Sequence, residues 1–127
     1  MTIDIGLLLL RLFSGLMMAF AHGHSKLMGF SELAGKFPDP LGIGSQFSLG
    51  LTVFSEVGCA VFLAMGLFTR WVAVPLLITM LVAAFIVHAA DPWAKQEFAL
   101  LYGVCYLTLM FTGAGRLSID QLINKKS

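Results

Sequence analysis

Four stretches of this chain are each apolar for about twenty residues, the length at which a helix crosses a hydrocarbon core of about 30 Å at about 1.5 Å per residue. They run from about Ile5 to His24, Phe47 to Phe68, Trp71 to Ala90 and Trp93 to Thr112. Inside a bilayer no water satisfies an exposed peptide group, so such stretches are helical and pack on one another. The expected fold is all-α: an integral membrane four-helix bundle, forming one domain over residues 1–127. Composition agrees, with 12% of residues charged against about 25% in soluble domains. A formal net charge of +1 offers no electrostatic footprint for nucleic acid, and the lipid bilayer is the expected surrounding.

The connections are short except one. Ser25 to Gln46 forms a long outer loop between the first two spans, in which Phe30 to Ala34 reads as a short interfacial helix and Pro38-Asp39-Pro40 as a turn. Asp91 and Pro92 read as an N-cap and first helical residue for the fourth span, and Gly113 and Gly115 as its stop. Residues 116–127 read as a tail carrying a short surface helix. Ala19-Phe20-Ala21 has the look of a processing site, but Arg11 interrupts the apolar stretch and no basic segment precedes it, so the first stretch is expected to remain as a span. Lysines and arginines divide five (Arg11, Arg70, Arg116, Lys125, Lys126) against three (Lys26, Lys36, Lys95), which predicts both termini in the cytoplasm.

An ionisable side chain in hydrocarbon costs roughly 2.5–3.5 kcal/mol on insertion scales, so it turns toward a partner, a cavity or a ligand. Arg11 and Glu56 are the two deepest. Arg11, Gly15, Met18, His22 and Lys26 fall on one stripe at helical spacing, with Gly15 small enough to admit a neighbouring helix. Counting residues puts Arg11 about 9 Å and Glu56 about 16 Å above the same edge, a gap of about 7 Å that an extended arginine spans. A buried Arg11–Glu56 pair is expected, acting either as a registry clamp or as a proton-exchanging or ligand-binding group. His22, His88, Lys26 and Glu97 fall in one layer toward the outer face. That layer suits a quinone head group, a proton shuttle or simply a hydrogen-bonded cap of the helix ends. His22-Gly23-His24 is a poor chelate, because residues two apart do not share a helix face, and no metal is expected. Cys59 and Cys105 fit no disulfide framework and read as packed thiols.

Leu10-Arg11-Leu12 through Gly15, His22-Gly23, Lys26-Leu27, Glu56, Gly66-Leu67-Phe68-Thr69-Arg70, Met80, His88 and Glu97 together resemble the DoxX family. The ending Gly113-Ala114-Gly115-Arg116-Leu117-Ser118-Ile119-Asp120 is the most specific part of the likeness. The resemblance implies a small four-helix protein of the bacterial inner membrane, related to the DoxD subunit of a thiosulfate:quinone oxidoreductase. It implies a membrane component of a quinone- or thiol-linked redox complex, with a redox-enzyme partner and a homo-oligomer as its associations, and quinone as the one cofactor to consider. Arg11, His22, Lys26, Glu56, Arg70, His88 and Glu97 are the polar positions it carries over. Gly113, Gly115, Ser118 and Asp120 form a structural terminus, with Ser118 or Asp120 capping the tail helix. A non-catalytic assembly or scaffold factor is the alternative function, and a small-solute or proton pathway the third.

Overall fold

In a computed structural model the backbone is described from residue 2 to residue 126 and the side chains to residue 123. Six helices are present among the described residues, and no strand. They are α1 (Thr2–Met28), α2 (Phe30–Leu33), α3 (Ser45–Met65), α4 (Thr69–Val87), α5 (Trp93–Thr112) and α6 (Ile119–Lys126). Helices α1, α3 and α4 are long and apolar enough to cross a membrane, and α5 has 20 residues. α1 packs on α3, α3 on α4, α4 on α5 and α5 back on α1, so the four long helices close into a ring.

The packing is made possible by small residues. A Cβ at Gly15 would lie 2.6 Å from the Ala60 carbonyl, and one at Gly23 would lie 2.9 Å from the Glu56 backbone. Gly15, Ala19 and Gly23 repeat every four residues along α1, with Gly15 against Ala60 and Ala64 and Gly23 against Glu56 and Val57 of α3, a seam of small residues by which membrane helices approach closely. The buried centre includes Met18, Ala60, Leu63, Ala73, Leu76, Met80, Tyr106 and Leu109. Tyr106 ties α5 to α1 by donating its hydroxyl to the Ser14 carbonyl at 3.0 Å. Outside, the bundle is greasy: Phe13, Phe20, Trp71, Phe85, Leu101 and Phe111 each leave at least 61% of their surface uncovered. A soluble monomer rarely exposes so much contiguous apolar surface.

Three helices contain π-helical stretches, at Met18–Gly23 in α1, Phe54–Cys59 in α3 and Ala83–Val87 in α4. Hydrogen bonds there run from residue i+5 to i, as from the His88 amide to the Ala83 carbonyl at 2.9 Å. Each inserts an extra residue into the α-helical count and turns the side chains beyond it onto a new face.

Two of the helix ends that differ from expectation have a clear local cause. α3 stops at Met65 because Gly66 adopts a left-handed conformation (φ 73°), closing a Schellman-type turn in which the Leu67 amide reaches the Phe62 carbonyl at 2.9 Å. At α5 it is Pro92, not Asp91, that occupies the N-cap position. Asp91 turns away to the His88 ring, which it meets at 2.7 Å.

Candidate functional site

The expected Arg11–Glu56 pair does not form. Glu56 instead bonds Lys26 at 2.6 Å. Gly23 packs on the Glu56 backbone while Gly15 packs on Ala60 and Ala64. Glu56 is therefore level with Gly23, about 18 Å along α1 from Arg11 at about 1.5 Å per residue. Part of the difference arises because the sequence count took His24 as the outer end of the first helix, whereas α1 runs on to Met28, about 6 Å further at about 1.5 Å per residue.

Arg11 is fully buried at the opposite end of the bundle. It donates to the Ala64 carbonyl at 3.2 Å and to the Leu117 carbonyl, and it feels the charge of Asp120. A cation among the last carbonyls of a helix is well placed electrostatically. Asp120 accepts the amides of Phe68 and Thr69 at 2.7 and 2.9 Å, so it caps α4. The tail helix α6 is capped by Ser118, whose hydroxyl accepts the Gln121 amide at 3.3 Å. Arg70 reaches the Phe111 carbonyl at 3.4 Å and lies against Gly113. The Arg116 amide bonds Asp4 at 3.0 Å, and Gly115 lies against Leu7. The segment 113–120 therefore knots together the ends of α1, α3, α4 and α5.

Lys26 and Glu56 belong to a different layer, where they line a cavity of about 400 Å³ between α3 and α4. Leu51, Thr52 and Glu56 form one wall, and Ile78, Thr79, Val82 and Val87 the other. Phe37, Pro38, Pro40, Leu41 and Ile43 from the long loop form the roof, and His88, next to Val87, also lines the cavity. Size and lining, mostly apolar with a few convergent polar groups, are those of a small-molecule site. Only 5% of the Glu56 side chain is exposed, against 26% for Lys26. The three ionisable groups of the lining lie in or near π-helical stretches: Glu56 within one, His88 directly after another, and Lys26 three residues beyond the third. π-Helical turns recur at functional sites because they re-aim side chains in this way.

The roof hangs on Asp39. Its carboxylate accepts the amides of Ile43 and Gly44 at 2.9 and 2.7 Å and the Ser48 hydroxyl at 2.8 Å. The Ser48 bond, followed by those from the backbone, holds the Asp39 carboxyl below the usual carboxylate range. Asp91 is lowered likewise, chiefly by its bond to His88. A carboxylate at that position must take a proton from Nδ1, which leaves Nε2 of a neutral His88 ring as an acceptor. Beneath the cavity, the Thr79 hydroxyl meets the Ser55 hydroxyl at 2.9 Å and clips α4 to α3.

The predicted outer constellation is thus divided. Lys26 and His88 line the cavity, joined by Glu56. His22 does not line it; the π-helical turn sends its ring to the α5 side, 5.1 Å from Phe98 and 5.6 Å from Tyr102 between centroids. Glu97 is exposed on α5. Cys59 and Cys105 are free thiols and neither lines the cavity. No cluster of three or more His, Cys, Asp or Glu able to hold a metal occurs among the described residues. Sequence reasoning passed over Asp39, Ser48, Thr52 and Thr79. The proline on either side of Asp39 signalled a turn, but not that its side chain would hold a roof.

Long apolar helices around a small-residue core, with a greasy exterior and ionic groups turned inward, define a multi-pass integral membrane protein. The chain belongs to the DoxX family, whose pattern matches residues 6–89. Two proteins of Haemophilus influenzae described as uncharacterized are similar to it. One is 33% identical over 101 residues, covering 76% of this chain and 67% of the relative; the other is 36% identical over 91 residues, covering 66% and 67%. An uncharacterized membrane protein of Mycobacterium tuberculosis is 30% identical over 116 residues, covering 72% of this chain and 70% of the relative. No solved structure matches the chain.

Proposed function

We propose that this DoxX-family protein is the membrane component of a redox system and takes a quinone head group into the cavity beneath the long loop. One observation carries the reading: a Lys26–Glu56 ion pair 2.6 Å apart at the wall of a mostly apolar cavity. A quinone carbonyl accepts from the Lys26 ammonium, and a quinol hydroxyl donates to Glu56 or His88. The isoprenoid-like tail lies along Leu51 and Ile78. The cavity favours the quinone branch of the family's chemistry over the thiol branch, because both cysteines lie away from it. The redox assignment itself, with a soluble or membrane-bound redox enzyme as partner, comes from family likeness.

In this reading α5 is the fourth span, the protein sits in a bacterial-type inner membrane with both termini in the cytoplasm, and the cavity opens in the outer half. The lysine and arginine distribution supports that orientation. The test is equilibrium binding of a decyl-tailed benzoquinone to the protein in lipid nanodiscs. Saturable binding is expected, weakened about 10- to 100-fold in Lys26→Met, as for loss of a charge-assisted hydrogen bond. Wild-type protein that takes up no quinone overturns the reading.

A further inference from the structure

The cavity has walls, a roof and a floor, and these differ in what they face. Above, the roof is pinned to the start of α3 by Asp39 and by the Ser45 hydroxyl on the Phe37 carbonyl at 2.8 Å. Below, the Ser55–Thr79 bond joins α3 to α4. At the side, Leu51, Ile78 and Val87 line the cavity and remain 46, 53 and 39% exposed, so the rest of the described chain leaves the gap between α3 and α4 uncovered. In a bilayer, acyl chains reach such a gap.

The charge inside the cavity is balanced. Lys26 and Glu56 neutralise one another, while Asp39 and Asp91 lie outside its lining and are engaged by their own partners. An incoming anion must therefore displace Glu56 from Lys26, which leaves a carboxylate unpaired in a site of low polarity. An incoming cation faces the mirror cost at Lys26. A neutral head that both accepts and donates hydrogen bonds meets neither penalty, since the pair stays whole.

From this we infer that the cavity is a side port of the bilayer, receiving neutral single-tailed amphiphiles between α3 and α4, with the Lys26–Glu56 pair acting as a charge filter. The quinone assignment above makes one member of that class the physiological ligand; the port and the filter concern how any such ligand arrives and which heads are refused.

The experiment measures binding of four decyl-tailed probes to the protein in nanodiscs: a benzoquinone, 1-decanoylglycerol, decyl sulfate and decyltrimethylammonium. Both neutral probes are expected to bind at least tenfold more tightly than either ion. Glu56→Gln, which leaves Lys26 unpaired, shifts preference at least tenfold toward decyl sulfate. Lys26→Met shifts it toward the ammonium probe, and this opposite sign keeps the filter testable if one variant fails to fold. Ile78→Trp, at the port, slows uptake of the neutral probes at least fivefold, while Phe85→Trp, on the same helix but not lining the cavity, does not.

Ions that bind as well as neutral probes, or equal effects of the two tryptophan variants, overturn the inference even where the benzoquinone binds and the quinone reading holds. Binding of 1-decanoylglycerol without the benzoquinone supports the port and overturns the quinone reading. Binding of neither neutral probe overturns both.

Discussion

Lys26 and Glu56 illustrate how a buried charge is tolerated: each is the other's solvent. Removing one partner leaves an uncompensated ion. Lys26→Met is expected to destabilise the fold by about 2 kcal/mol, below the roughly 3–5 kcal/mol of a fully buried pair, because 26% of the lysine side chain remains exposed. The double variant Lys26→Met/Glu56→Gln should recover most of that loss. Thermal unfolding in mild detergent measures all three, and a double variant no better than the single one would remove the pair from the account. At this scale the sequence was partly legible. Apolar surroundings marked Arg11 and Glu56 as groups in need of company, and helical spacing put Lys26 on the stripe of Arg11. What they could not give was the company itself: Arg11 found backbone carbonyls at Ala64 and Leu117, acceptors that every residue carries and no sequence pattern displays.

Among the elements, α1 and α3 owe their close approach to residues with almost no side chain. Gly15→Ala puts a methyl 2.6 Å from the Ala60 carbonyl, whereas Gly6→Ala meets nothing within 4 Å. The first should cost about 1–3 kcal/mol through overpacking, and the second should be neutral or stabilising by up to about 1 kcal/mol. Unfolding midpoints of the two variants compared side by side decide the matter. The roof over the cavity makes a prediction about acid. Asp39 titrates in the folded protein below its ordinary 3.8, so its contribution is complete above that value and is lost as pH falls through the lower folded one. Hydrogen exchange at the Ile43 and Gly44 amides, corrected for intrinsic rates, should show protection that collapses in strong acid. Asp39→Asn should lack that acid step. Helix positions were readable from apolar length alone, but the π-helical stretches were not. A reading that assumes 3.6 residues per turn cannot see an inserted residue, which is why His22 and Lys26 shared a stripe on paper and point to different neighbours in the fold.

For the whole molecule, the ring of long helices follows from short connections: residues 66–68 join α3 to α4, and residues 88–92 join α4 to α5. Such links force neighbours to run antiparallel. Two polar layers then stand about 18 Å apart, by the same rise of about 1.5 Å per residue. One is a knot of backbone acceptors and caps around Arg11. The other is an ion pair beside a cavity. The knot has a bearing on how the protein is made. Arg11 and the Leu117 carbonyl that receives it are separated by 106 positions, so the arginine is inserted while its acceptor has yet to leave the ribosome. The helix that carries Arg11 therefore has no access to this acceptor until the segment around Leu117 has been made. Assembly of this bundle is thereby timed by its own tail.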